Sequence, residues 1–422
     1  MGMGMTEKIL ARASGVAAVK PDDIAVVEVA TAVLMDMTFL PASWRQILKV
    51  DDPRRVVIVF DHLVPAPNIQ AATAQNIGRA FAARFGVERL HDVGPGQGIC
   101  HAVVAECGYA LPGTVLVNGD SHTCAAGAFN CAARGVGGPD MLHAVTTGKT
   151  WFRVGETVRY DLTGRLRPGV SSKDIFLTIA GKWGAHVNQN VEYGGPGLAT
   201  LSINGRRTLA TMGTELSSEF NVFEPDDVLL AYMKERNPDA VIYPTMPDAD
   251  AVYADRRTVD LERIEPLVAL PDAVVNQSVG ISAVAGRKID QAFIGSCANG
   301  TLDDLAVAAR VVRGRKVAKG TRFIVTPGTQ STYTAALKAG YIEALLDAGA
   351  VVTPATCGAC WGGHMGTLGP NETCITASTR NFKGRMGDPS AKIYMASPAT
   401  VAASALAGHI ASAAEFFQGD VA

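Results

Sequence analysis

Short apolar, β-prone runs that break off into loops carrying reactive side chains constrain this chain more than any other feature. Gln291-Ala-Phe-Ile-Gly295 runs into Ser-Cys297-Ala-Asn, and Ala350-Val-Val-Thr-Pro354 runs into Ala-Thr-Cys357-Gly-Ala-Cys360. Residues 55–60 end in Asp61-His62, and residues 114–117 lead into Asn118-Gly-Asp-Ser-His-Thr123. Helical spacing fills the stretches 5–13, 68–85, 208–218, 302–312, 331–348 and 400–413. A further helix is expected over 172–182, opened by Ser and Asp. Residues 244–275 are rich in Pro and Asp and read as an irregular boundary. Strands alternating with helices predict an α/β protein with parallel sheets, helices on both faces and its chemistry on loops beyond the strand ends.

Composition narrows the function. The 422 residues are 48% hydrophobic and 18% charged, enough for a large core. A net charge of −2 gives no electrostatic purchase on nucleic acid or an anionic membrane, so neither is expected as a partner. Eight cysteines are too sparse for a disulfide scaffold. The N-terminus carries charge at once and lacks the apolar segment of a signal peptide. No run of eighteen apolar residues occurs, so a cytoplasmic protein is expected.

Cys297, Cys357 and Cys360 stand on the loops just described. Three thiolates fall short of the four ligands of a structural zinc site. They can hold three corners of an iron–sulfur cube and leave one iron without a protein ligand, the position a Lewis acid needs. Cys-x-x-Cys also reads as a redox pair, or as two small buried hydrophobes. The spacing leaves these three readings open.

Asp61-His62 and Asp120-Ser121-His122 repeat one design, an apolar strand ending in a carboxylate–imidazole step, and His101 follows Gly98-Ile-Cys. A carboxylate beside an imidazole fixes its tautomer and raises its basicity, which suits proton transfer. Each step alone equally reads as a turn with a capping Asp. Arg380 and Arg385 put two guanidinium groups on one short loop, where they are able to clamp carboxylates in bidentate fashion or lie solvated on the surface. A Lewis acid, several imidazole–carboxylate pairs and a carboxylate clamp together suit the addition or removal of water on a hydroxy-polycarboxylate.

These motifs, with Phe60-Asp-His-Leu-Val-Pro-Ala-Pro67, Thr147-Gly-Lys-Thr-Trp151, Gly362-Gly-His-Met-Gly366 and the opening residues 3–10, resemble the aconitase family end to end. The likeness is to its large-subunit members of the 3-isopropylmalate dehydratase and homoaconitase type. The resemblance implies an aconitase-like fold of three α/β/α domains around a central iron–sulfur cluster, here at 1–155, 156–275 and 276–422. It implies Cys297, Cys357 and Cys360 as ligands of a [4Fe-4S] cluster. It implies the pairs Asp61–His62, Asp120–His101 and Glu215–His122 in proton and hydroxyl handling. Arg380, Arg385 and Ser121 then face the carboxylates of a small hydroxy-polycarboxylate substrate. The family's carbon base is a serine on a swivelling domain. A chain ending at Ala422 leaves no room for it, so a small subunit carrying that domain is the expected partner.

Three positions depart from the family's usual residues. Met35 stands where His or Gln is usual, Thr211 and Thr379 where Asn is usual. The three are read as a substrate-tuning set, since lost donors change which substrate atoms are satisfied. The expected activity is therefore a hydro-lyase acting on 3-isopropylmalate, or on homocitrate, homoaconitate or 2,3-dimethylmalate. The contrasting readings are an iron-responsive regulator and a non-catalytic paralogue.

Overall fold

Val56-Val-Ile-Val59 is buried at every position, the signature of a strand covered on both faces. The computed structural model, which describes residues 2–417, places it inside a five-stranded parallel sheet. Met1 and residues 418–422, the outer ends of the first and last expected domains, lie outside the described residues. The chain divides into two compact units. One comprises Met1–Val93, Cys100–Gly164 and His186–Asp260; the other comprises Gly94–Ile99, Arg165–Ala185 and Leu261–Ala422.

The first unit holds the five-stranded sheet, in the order Leu90–His91, Val56–Val59, Thr31–Met35, Val115–Asn118, Ala132–Gly135, with every neighbouring pair parallel. Each fully buried Val or Ile in it contributes roughly 1.5–3 kcal/mol. Strand Thr31–Met35 has no counterpart in the sequence reading. It pairs Met35 with Val59 and Val33 with Asn118, so three adjacent strands finish at one edge. Each of the three leads within two residues into a carboxylate: Asp36, Asp61 and Asp120. That carboxyl edge is where open parallel sheets build their sites.

A second, four-stranded parallel sheet runs Asn221–Phe223, Gln189–Gly194, Glu156–Thr163, Asp255–Asp260. Its last strand corrects the expectation that 244–275 is irregular. Asp255-Arg-Arg-Thr-Val-Asp260 lacks apolar alternation because it is an edge strand facing water, held through six paired positions and an Arg256–Asp161 ion pair.

The second unit is built on a seven-stranded mixed sheet, ordered Ser278–Gly280, Leu267–Ala269, Lys392–Ala396, Thr373–Thr376, Gln291–Ile294, Arg322–Val325, Val351–Val352. The last five run parallel and the first two pair antiparallel. The helix expected over 331–348 is two, Gln330–Lys338 and Tyr341–Ala348, separated by Gly340 at φ +72°. Helix Ser172–Trp183 begins as expected, with Ser171 and Asp174 forming a reciprocal cap. The last long helix is Pro398–Ala407, shorter than the expected 400–413 because Gly408 closes it in the left-handed region. Among the described residues no helix is long and apolar enough to cross a membrane.

Candidate active site

Chemistry collects in two places, one in each unit. In the first, Asp120 ends strand Val115–Asn118 and caps the 3-10 helix Ser121–Phe129, its carboxylate accepting from the His122 amide at 2.7 Å. The same Oδ1 lies 2.9 Å from His101 Nε2 and 3.4 Å from His122 Nδ1, and Oδ2 lies 3.6 Å from His62 Nε2. Three imidazoles thus converge on one carboxylate. His62 Nδ1 meets Asp61 Oδ1 at 2.7 Å, and His122 Nε2 meets Glu215 Oε1 at 3.2 Å. The three expected carboxylate–imidazole pairs all lie within hydrogen-bond reach. Together they form one branched chain: Asp61, His62 and Asp120, then His101 on one arm and His122 with Glu215 on the other.

Local structure fixes each member. Asp61 is fully buried and accepts from the Cys100 amide at 2.9 Å, at the start of the helix Cys100–Glu106 that carries His101. Glu215 sits on the turn Gly213–Leu216. Thr214 donates to the Ser121 carbonyl at 2.6 Å, and the His186 amide donates to the Leu216 carbonyl at 2.6 Å. Ser121 itself is exposed.

The environments push the acid groups apart. Burial would raise the Asp120 carboxyl, but hydrogen bonds and charge from His101, His122 and His62 hold it well below the usual range. Burial lowers His122, yet Asp120 and Glu215 outweigh it and its imidazole is raised. Asp36, which the sequence reading passed over, is buried completely and accepts from the Leu63 amide at 2.6 Å and the His62 amide at 3.3 Å. Burial, and then the charge of Asp61, pushes it up to about 6. A strand ending in a carboxylate, the pattern that marked Asp61 and Asp120, was the signal that could have found it. Neighbouring carboxyls with opposed shifts are a mark of acid–base sites.

In the second unit the three cysteines occupy tight turns. Cys297 follows Gly295 and Ser296, both at positive φ, on the short helix Ser296–Asn299. Cys357 and Cys360 bracket Gly358 at φ +60°. A side chain at Gly358 would collide with Thr326, and one at Gly295 would collide with the Phe293 ring and crowd the same threonine, so both loops need glycine there. The helix Ser296–Asn299 packs against the turn Gly358–Trp361. All three cysteines are buried, and Cys360 lies in a cluster with Phe293, Ile324, Leu368 and Met386.

Cys360 Sγ is 3.6 Å from Thr379 Oγ1 and 3.7 Å from Arg385 Nη2, while Arg385 Nε donates to the Cys360 carbonyl at 2.8 Å. A guanidinium and a hydroxyl aimed at one sulfur suit a thiolate ligand of a cluster. By contrast, burial pushes the thiol of Cys124 up to about 11 and that of Cys131 to about 12, and raises Cys374 further, so these stay protonated packing residues. Arg380 is half-buried between Thr379 and Asn381.

The three departures from the family's usual residues are all buried. The Thr211 hydroxyl donates to the Arg207 carbonyl at 2.7 Å, one helical turn back. The Thr379 hydroxyl faces Cys360, and the Met35 methyl comes within 3.5 Å of the place a side chain would occupy at Gly119. The Thr211 hydroxyl is thus bonded within its own helix, and that of Thr379 lies beside the Cys360 sulfur.

Comparison with known proteins is consistent along the chain. The sequence pattern of the aconitase family (aconitate hydratase) matches residues 8–286 and 274–408. The chain is 52% identical over 413 residues to the 3-isopropylmalate dehydratase large subunit of Mycolicibacterium smegmatis, covering 98% of this chain and 97% of that one. It is 42% identical to the 3-isopropylmalate dehydratase large subunit 1 of Methanopyrus kandleri, covering 97% and 98%. It is 41% identical to the probable methanogen homoaconitase large subunit of Methanothermobacter thermautotrophicus, covering 97% of each.

Proposed function

Because the chain belongs to the aconitase family, we propose that it is the large subunit of a hydro-lyase of the 3-isopropylmalate dehydratase type. It dehydrates and isomerises a hydroxy di- or tricarboxylic acid. The observation that carries the reading is the convergence of His62, His101 and His122 on Asp120. Such a chain of carboxylates and imidazoles stores and moves the proton that a departing hydroxyl requires.

His101 and His122 are the groups that protonate the departing hydroxyl or return the proton to solvent. Asp120 holds both imidazoles in register and favours the charged form of His122, Asp61 orients His62, and Glu215 backs His122. Arg380 and Arg385 bind the substrate's carboxylates, Arg380 with its guanidinium fork and Arg385 from its place beside Cys360, and the exposed Ser121 is a further substrate-binding group. Cys297, Cys357 and Cys360 hold a [4Fe-4S] cluster; all three are buried, and the Cys360 sulfur faces a hydroxyl and a guanidinium that suit a thiolate ligand. When bound, the cluster supplies a Lewis acid for a poor leaving group.

The base that takes the carbon-bound proton comes from a small subunit with a swivelling domain. The domains of this reading run 1–155, 156–275 and 276–422, although strand Leu267–Ala269 pairs into the sheet of the last. The protein acts in the cytoplasm. The test is anaerobic purification followed by iron and sulfide analysis. We expect about four iron per chain, as for a cubane. Cys297→Ser should lose the iron, and Cys374→Ser should keep it. Full iron in a triple variant of Cys297, Cys357 and Cys360 would overturn the ligand assignment.

A further inference from the structure

Among the described residues, Lys173 is one of the largest side chains to be wholly buried. It is the second residue of helix Ser172–Trp183, and its ammonium donates to the Ser378 carbonyl at 3.0 Å. Ser378 opens the segment Ser378-Thr-Arg-Asn381. Its amide donates to Thr376 Oγ1 at 3.0 Å, and the next residue, Thr379, turns its hydroxyl to Cys360 Sγ. At the far end Asn381 Nδ2 donates to the carbonyls of Leu270 and Ala273, at 2.6 and 2.9 Å. Arg380 therefore stands between two clamps, the Lys173 ammonium on one side and the Asn381 amide on the other.

A plain structural strut does not need a charge here. Burying an ammonium is costly, and an apolar side chain of the same length would fill the space. The adjacent Asp174 carboxylate accepts from Ser171 N, Ser171 Oγ and the Leu267 amide. The next two residues set the Ser378 peptide apart: one brings a hydroxyl to a cluster sulfur, the other a guanidinium for the substrate. A cation hydrogen-bonded to that peptide both holds it and offsets negative charge gathered there.

We propose that Lys173 is a positioning residue for substrate recognition, its ammonium pinning the Ser378–Thr379 peptide and thereby fixing Arg380 for a substrate carboxylate. The proposal rests on the reading of Arg380 given above. It concerns binding rather than bond breaking, so the loss of the ammonium is expected in KM more than in kcat.

The test uses the complete complex, with its cluster and small subunit, as wild type and as Lys173→Met. Two quantities are read: the split between KM and kcat on 3-isopropylmalate, and backbone hydrogen exchange over 376–385. The variant should raise KM at least about tenfold, change kcat less than about threefold, and speed exchange in that segment about tenfold, with iron content unchanged. KM within twofold of wild type and unaltered exchange would overturn the proposal. So would a lower melting temperature with an unchanged KM in the folded protein, which is what a mere packing role gives. Should Lys173→Met fail to fold, Lys173→Gln, which keeps a donor but no charge, decides by the same two readouts. If the wild-type complex turns over no hydroxydiacid, the proposed function falls. Faster exchange at 376–385 would then still uphold the clamp, and unaltered exchange would still refute it.

Discussion

His101 Nε2 lies 2.9 Å from Asp120 Oδ1, on a carboxylate that also faces His62 and His122. One carboxylate thus meets three imidazoles, and its loss takes that partner from all of them. Asp120→Asn should lower kcat by roughly 10²–10⁴, the usual worth of a positioned acid–base group. The 3-10 helix start should survive, because Asn caps as well as Asp. Steady-state kinetics on the reconstituted complex, beside a far-ultraviolet dichroism spectrum, checks this. Activity within threefold of wild type would contradict the role given to Asp120.

The His122 imidazole is raised because Asp120 and Glu215 both stabilise its charged form against burial. In the proposed role it acts as a protonated acid, so activity should fall when it loses its proton at alkaline pH. Glu215→Gln removes one of the two stabilising carboxylates. The folded pKa then drops, and the alkaline limb of kcat/KM should move to lower pH. A pH–rate profile from pH 5 to 10 reads the shift directly. A limb that does not move would separate His122 from the titration.

Asp36 gives a stability signature of the opposite sign. Its folded pKa, about 6, is raised above the ordinary 3.8. The folded state therefore binds more protons than the unfolded state between about pH 4 and 6, and stability falls as pH rises through that window. At 1.36 kcal/mol for each pKa unit the effect is roughly 2–3 kcal/mol. Asp36→Asn mimics the protonated form. Relative to wild type it should gain about that much between pH 4 and pH 7.5 in urea unfolding, whatever fixed amount the lost acceptor costs. A stability difference independent of pH would show that Asp36 is not shifted.

Packing behind the acid–base chain is tight enough to test by adding one carbon. A side chain at Gly135 would collide with the Asp120 carbonyl oxygen and sit 2.9 Å from the Ser121 Cα. Gly135→Ala should cost about 1–3 kcal/mol of stability, as overpacking does. Its activity should also fall at least tenfold in the folded fraction, because the displaced groups are Asp120 and Ser121. Loss of stability with full activity would mean that the strain is absorbed elsewhere.

Much of this was legible along the chain because the grammar is local. A buried β-run followed by Asp-His, or by Gly and Cys, declares both a strand end and its cargo, which is how Asp61, Asp120, Cys297 and Cys357 stand out. Asp36 is easily missed because its strand, Thr31–Met35, follows Ile24–Glu28 after only two residues and belongs to a different sheet. The contact of Glu215 with His122 spans 93 residues, a separation no local pattern reveals, and only the family resemblance anticipated it. Nor does residue type say where a hydroxyl points. Thr211 turns back to its own helix and Thr379 turns to a sulfur, and neither bond leaves a trace in sequence. Lys173 is the same case in charge: a lysine near a helix start is ordinarily solvated, and only the fold buries it.

The central claim is that this chain supplies the Lewis-acid site and the proton chain of a two-subunit dehydratase. Formation of the unsaturated diacid from 3-isopropylmalate, monitored by ultraviolet absorbance under anaerobic conditions, tests it most directly. The chain is assayed alone, with its small subunit, and with that subunit after Cys297→Ser. The account predicts turnover only in the iron-loaded two-chain complex, at an ordinary kcat on the order of 1–10³ per second. Equal turnover by the isolated chain, or by the complex carrying Cys297→Ser, would contradict it.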